Sequence, residues 1–392
     1  MKTQTKLALA GQRVDVAYNA IVPPIYQTAT FRFEDVGVTK GYDYTRSGNP
    51  TRAALEDALA NLDGGVGAVA VSTGMAAVST TLALLDAGSR VVCSHDCYGG
   101  TERLLTHFQD QGKLVVDFVD LSDEIALRKA LSTPTALVWI ETPSNPLLRI
   151  TDVALVARVA HEAGALVAVD NTFLSPVFQL PISLGADLVT YSTTKYLNGH
   201  SDVVGGAIVA ATEELNDRIQ FTANCLGTVA QPFDCWLVLR GMKTLPLRLA
   251  RHAENADAVA RHLDAHPAVS KVYYPGLEDH EGHELASSQQ YGFGGMVSFK
   301  LAGDWEAVKR LLMGTRVFAL AESLGGVESL IEHPSSMSHA SMREEARLEA
   351  GITDDVIRLS VGIESIDDLL ADLDAALEAA IPEALANALV AA

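Results

Sequence analysis

The chain is poor in cysteine: four among 392 residues, Cys93, Cys97, Cys225 and Cys235, with no C-x-x-C pair. That excludes a disulfide scaffold and gives no zinc or thiol-redox signature, so no metal is expected. Cys93 sits in an apolar stretch where a thiol behaves as a small hydrophobe. No run reaches the roughly 18 apolar residues that span a bilayer, and Met1-Lys2-Thr3-Gln4-Thr5-Lys6 lacks the apolar centre of a signal peptide. A cytoplasmic protein without a membrane partner is the expectation. Basic residues are scarce as well: 29 Lys+Arg against 49 Asp+Glu leave a formal charge of −20. Such a field repels polyanions and argues against nucleic acid, yet it permits a small anion at a local basic site. Finally, there is no G-x-x-x-x-G-K-[ST] loop and no G-x-G-x-x-G after a strand, which counts against nucleotide chemistry.

What is present suits a folded chain: 48% hydrophobic and 20% charged residues, enough to bury a sizeable core. Residues 1–50 lack periodicity and carry Pro23-Pro24 and the turn-forming run Thr45-Arg46-Ser47-Gly48-Asn49-Pro50, so they read as an irregular arm. From Thr51 short apolar runs alternate with helical spacing. Strands are expected at 68–71, 90–94, 114–119, 137–141, 166–170, 187–192 and 206–210. That alternation predicts an α/β domain over 51–247, with a mostly parallel seven-stranded sheet covered on both faces. Beyond a helix at 248–263 the texture changes to strands at 269–274, 296–301 and 356–361 with helices at 305–313 and 366–379, a smaller α+β domain over 248–392. After Arg358 seven acidic residues follow and no basic one, which reads as a solvated acidic face on the last helix.

The chemistry concentrates at strand ends. Asp170 closes an apolar strand, the position where open α/β sheets contact ligands. Lys195 follows the next strand behind Ser192-Thr193-Thr194. A lysine held there can condense with an aldehyde, and the hydroxyls can bond a phosphate. Aldehyde, ring nitrogen and phosphate together are what pyridoxal 5'-phosphate presents. Ser72-Thr73-Gly74-Met75-Ala76-Ala77 opens a helix after the first strand; alone, it is equally a tight turn or an anion site. Tyr98, after the second strand, is alone either a core residue or a ring that stacks on a cofactor.

These segments resemble a known family, the pyridoxal-phosphate enzymes of cysteine and methionine metabolism. The likeness runs through Tyr44-Thr45-Arg46-Ser47-Gly48-Asn49-Pro50-Thr51, Ser72-Thr73-Gly74-Met75, Tyr98-Gly99-Gly100, Glu141-Thr142-Pro143-Ser144-Asn145-Pro146, Val169-Asp170-Asn171-Thr172, Ser192-Thr193-Thr194-Lys195-Tyr196, Glu322-Ser323-Leu324-Gly325-Gly326 and Arg358-Leu359-Ser360. The resemblance implies the aspartate-aminotransferase-like fold (fold type I). It implies that Lys195 carries the cofactor and moves protons, that Asp170 holds the ring nitrogen and that Tyr98 stacks on the ring. Gly74, Met75, Ser192 and Thr194 would bind the phosphate, joined by Tyr44 and Arg46 from a neighbouring subunit in a homotetramer of two catalytic dimers. Arg358 and Asn145 would bind the carboxylate of an amino-acid substrate, and Ser323 would orient substrate and lysine. Glu322 and Asp43 would stand at the distal end of the pocket.

Within the family, Glu322-Ser323-Leu324-Gly325-Gly326 looks like the γ-acting members, whereas β-lyases tend to replace the Glu and Leu. The likeness is strongest to the bacterial γ-synthases, with the γ-lyases very similar. The expected reaction joins L-cysteine to O-succinylhomoserine or another O-acylhomoserine; the alternative is γ-elimination of cystathionine. An O-acylhomoserine sulfhydrylase is more distant, since those relatives are usually longer, and a dehydrogenase or a noncatalytic scaffold is what the α/β pattern alone would also allow. The tail, residues 381–392 with Glu383 its only charge, runs past the usual family end.

Overall fold

The computed structural model describes residues 1–12, 14–340 and 342–381. All but the first residue of the tail singled out above therefore lies outside the described residues. Seven strands, β1 (Gly67–Val71), β2 (Ser89–Ser94), β3 (Leu114–Val119), β4 (Leu137–Glu141), β5 (Leu166–Asp170), β6 (Leu188–Tyr191) and β7 (Gly206–Ala210), form one sheet. Its order is β1-β7-β6-β5-β4-β2-β3. Pairing is parallel from β6 to β3, and β7 runs antiparallel to both of its neighbours. Helices cover both faces, so the central strands are apolar throughout: every residue of β4, Leu-Val-Trp-Ile-Glu, is buried.

Side-chain caps start several of the helices that follow strands or lead into them. Asn49 accepts N–H bonds from Thr51 and Arg52 ahead of the helix Pro50–Asp63, and Thr73 accepts from Ala76 ahead of Gly74–Leu82. Each satisfies a first-turn donor that the helix cannot. A second sheet contains β8 (Val269–Tyr273), β9 (Met296–Leu301), β10 (Ala319–Leu320), β11 (Leu330–Glu332) and β12 (Val356–Ser360) in the order β10-β11-β12-β9-β8, antiparallel except for β10 with β11. The long helix Leu245–Asp264 links the two cores. Its first turns bury Leu245 and Leu249 with the large sheet, and its later turns bury Ala256, Val259 and Leu263 with the small one.

The seven expected strands are all present, within two residues at each end. Strands β10 and β11 escaped sequence reading because two or three residues are too few for alternation to register. Two expectations need correction. The N-terminal segment is not irregular throughout: Thr3–Ala8 is a helix that seats fully buried Leu7 in the large core. The last helix, Ile366–Ala380, is not a uniformly solvated acidic face either. Its Asp372 is buried and accepts the backbone N–H groups of Arg316, Val317 and Phe318, while Asp374 pairs with His262. Three donors at a loop stabilise a buried carboxylate that would otherwise be costly. Among the described residues no helix is long and apolar enough to cross a membrane.

Candidate active site

The C-terminal ends of the parallel strands form the floor of a cavity of about 320 Å³. Asp170 ends β5 and Glu141 ends β4, paired in register, so two carboxyl groups stand side by side there. Burial pushes the Asp170 carboxyl above the ordinary aspartate range, opposed by bonds from Thr172, whose N–H reaches Asp170 Oδ1 at 3.0 Å. Burial, then the neighbouring Asp170 charge, raises Glu141 further. Glu141 also accepts two backbone bonds, from Tyr98 N–H (2.7 Å) and Asn145 N–H (3.2 Å). It thereby ties the segment that carries the tyrosine to the segment that carries the amide.

One end of the cavity is rich in donors. Gly74 and Met75 open a helix, so their N–H groups have no intrahelical partner and face the cavity with the positive end of the helix dipole. A Cβ on Gly74 would come within 2.9 Å of Ser192 Cβ, so only glycine lets the two segments approach this closely. Ser192 and Thr194 line the same end.

Lys195 stands in the turn after β6. Its Nζ donates to Ser323 Oγ at 2.7 Å. Burial, reinforced by the Arg358 charge, pushes its amine down to about 8, with Glu332 and Glu322 acting in the opposite sense. Ser323 holds φ at 104°, a strained left-handed backbone for a residue with a side chain. Next to it, Gly325 (φ 76°) allows the loop to approach the Tyr196 N–H, which an added Cβ would meet at 2.6 Å. The strain buys a double contact: Ser323 Oγ meets Lys195 while Ser323 O accepts from Arg358 Nη2 at 2.9 Å. Arg358 Nη1 donates to Asn145 Oδ1 at 2.9 Å. Tyr98, exposed at the mouth, has its phenol raised by partial burial and by Glu322 and Glu141, and lowered by Arg103 and Arg358.

Of the residues singled out in the sequence, Lys195, Asp170, Tyr98, Gly74, Met75, Ser192, Thr194, Asn145, Ser323, Glu322 and Arg358 all line this one cavity. Asp43, Tyr44 and Arg46 do not line it. Asp43 and Tyr44 are exposed, and Arg46 Nη1 bonds the carbonyl and side chain of Asn224. Sequence reading missed Glu332, a fully buried carboxylate in the cavity wall, and assigned no role to Glu141. The strand-end rule that found Asp170 would also have found Glu141; nothing marked Glu332.

The lining suits a phosphorylated aldehyde with a ring nitrogen: an amine, a carboxyl group, and at the other end N–H donors with hydroxyls. Three buried polar atoms of the lining, Arg358 Nε, Glu332 Oε2 and Thr190 Oγ1, make no hydrogen bond among the described residues, and Arg358 Nε and Thr190 Oγ1 remain open to a ligand. Residues 4–378 match the model of the Cys/Met metabolism PLP-dependent enzymes. The chain belongs to that family. It is similar to cystathionine β-lyase of Lactococcus lactis subsp. cremoris (49% identical, 94% of this chain and 97% of that protein) and to cystathionine γ-lyase of Bacillus subtilis (48%, 95% and 98%). It is also similar to the crystal structure of cystathionine γ-synthase from Xanthomonas oryzae pv. oryzae in complex with cystathionine (53% identical, 97% of this chain and 98% of that one, TM-score 0.96). As a member of this family the chain is an enzyme with pyridoxal 5'-phosphate as cofactor and amino acids as substrates. The β-lyase and the γ-lyase match at 49% and 48% identity and the γ-synthase at 53%, so the family is shown and the reaction is argued from the site.

Proposed function

We propose that the enzyme catalyses γ-replacement, joining L-cysteine to O-succinylhomoserine or another O-acylhomoserine to give cystathionine and a carboxylic acid. The observation that carries this reading is Glu322: it stands in the cavity wall, close enough to raise both the Tyr98 phenol and the Lys195 amine. A carboxylate there can orient the ammonium end of incoming cysteine or of a bound diamino acid. Held there, pyridoxal phosphate would supply an aldehyde for the substrate amino group and an electron sink for the pair left when a C–H bond breaks. Lys195 would take the proton from Cα, release it, and then take one from Cβ as the γ-acyloxy group departs as a carboxylate; once the cysteine thiolate has added at Cγ, Lys195 would return protons to Cβ and Cα. An amine titrating near 8 is suited to both directions of transfer. Ser323 steers Nζ between the two carbons, Arg358 and Asn145 grip the α-carboxylate, and Asp170 keeps the ring nitrogen protonated. Tyr98 covers the ring at the mouth and limits water, which favours capture by a thiolate over hydrolysis. Gly74, Met75, Ser192 and Thr194 hold the phosphate. Tyr44 and Arg46, which lie off the cavity of their own chain, serve that of a neighbour in a homotetramer of catalytic dimers, where Asp43 reaches the distal end.

The similarity to a γ-lyase supports cystathionine γ-elimination as the second reading. The test supplies the purified holoenzyme with O-succinylhomoserine plus L-cysteine, and separately with cystathionine alone. Faster formation of cystathionine in the first supports γ-replacement. Faster release of 2-oxobutanoate in the second supports the lyase, and release of pyruvate with homocysteine means β-elimination and overturns both.

A further inference from the structure

We propose that Glu332 is a positioning residue whose buried carboxylate holds the Arg358 guanidinium against the cavity wall and offsets its charge until a substrate carboxylate enters. The inference rests on the reading of Arg358 as the carboxylate clamp and adds what holds that clamp. β11 and β12 pair antiparallel with Glu332 opposite Arg358 in register. Oε2 lies 2.9 Å from Nη2, and the two side chains are 1% and 3% exposed. The other oxygen, Oε1, accepts from Ser338 Oγ at 2.5 Å, which fixes the carboxylate itself. Asn145 and Ser323 supply the remaining grips on the guanidinium.

The kind of contact matters as much as its length. Neither Glu332 Oε2 nor Arg358 Nε makes an aligned hydrogen bond to any described residue. Glu332 therefore compensates charge without saturating the five-donor fork, and Nε–H stays available to a ligand. A guanidinium this buried needs a counter-charge when the site holds no substrate. Glu332 also opposes Arg358 in its action on Lys195. A purely structural cross-strand pair would have no reason to line the cavity or to leave a donor open.

The test titrates holoenzyme with propionate by calorimetry, using propionamide as the uncharged control. Glu332→Gln keeps an amide oxygen as acceptor for Arg358 and offers Ser338 Oγ an N–H in place of the oxygen to which it now donates, but removes the competing charge. It is expected to bind propionate about tenfold more tightly and to lower the KM for the amino-acid substrate. Glu332→Ala leaves the guanidinium unheld and is expected to bind propionate about tenfold more weakly, with KM raised in parallel. Propionamide binding should stay constant throughout. Unchanged or weaker propionate binding in Glu332→Gln overturns the proposal, as does unchanged binding in a folded Glu332→Ala protein. If the alanine variant fails to fold, the glutamine variant decides alone. Should Arg358→Lys leave propionate binding unaltered, the clamp reading itself fails. Should it weaken binding while both Glu332 variants match the parent, only the present inference fails.

Discussion

Asp63, at the end of the helix Pro50–Asp63, carries a stability term that can be worked out and tested. It is buried, with Oδ1 accepting from Tyr191 Oη at 2.7 Å and Oδ2 without a hydrogen-bond partner among the described residues. Burial pushes its carboxyl up to about 7 against 3.8 in an unfolded chain, the Tyr191 bond offsetting part of the rise. Between these values the folded protein binds a proton that the unfolded chain has released, so this group's stabilisation falls as pH rises from about 4 to 7. At 1.36 kcal/mol per pH unit the full term is about 4 kcal/mol, of which about 3 is lost between pH 5 and pH 8. For 392 residues the unfolding entropy is on the order of 0.8 kcal/mol per degree, so the loss corresponds to about 3–4 °C in Tm. Asp63→Asn removes the titration while the side-chain carbonyl still accepts from Tyr191. Melting of holoenzyme and variant at both pH values isolates the term, because the amide's own cost cancels in the comparison. The variant should gain about 3–4 °C relative to the parent on going from pH 5 to pH 8. An equal shift at both pH values would refute the reasoning.

Three further outcomes follow from the cavity. Lys195→Ala should lose the visible absorption of the holoenzyme and at least about 10³-fold in turnover, since both proton transfers lose their base; a coloured, active variant would sink the assignment. Because the Lys195 amine titrates near 8, the rate at which cofactor-free protein recovers its visible band on adding cofactor should rise through that pH as the neutral amine forms; a rate that is flat from pH 7 to 9 would contradict it. Ser323→Ala deletes the 2.7 Å acceptor of Lys195 Nζ, a bond to a charged group worth about 1.5–3 kcal/mol, so kcat/KM should fall by about 10- to 100-fold. Removing the acceptor also disfavours the charged amine, which should move the midpoint of cofactor capture below 8.

Much of the cavity was legible because its parts obey local rules. Asp170 follows an apolar run, Gly74 sits where a strand turns into a helix, and the hydroxyls before Lys195 are contiguous with it. Each can be recognised within about ten residues of sequence. Glu332 could not be found that way, because its role depends on the β11–β12 register, which a three-residue strand does not announce. Asp372 was misread for a related reason: composition made the last helix acidic, but burial is decided by the loop at 316–318 packing over it. Tyr44 and Arg46 were recognised within a motif and Asp43 beside it, yet all three lie off the cavity of their own chain, and their service to a neighbouring subunit is part of the proposal.

The net charge of −20 and a site for anions are compatible because the two act over different distances. Exposed acids are screened over about 8 Å in physiological salt. Within the cavity the field comes from groups that water does not screen: the first turn at Gly74, the Lys195 amine and the Arg358 guanidinium. Of these, the Arg358 guanidinium is the one paired with a buried carboxylate, that of Glu332. Lys195 can therefore keep a proton affinity useful for transfer beside a permanent cation, because Glu332 returns part of what Arg358 takes away. On the proposed roles, the same pairing lets a carboxylate clamp stand near the reacting amine: the Arg358 cation would be offset by Glu332 until a substrate carboxylate supplies the second negative charge.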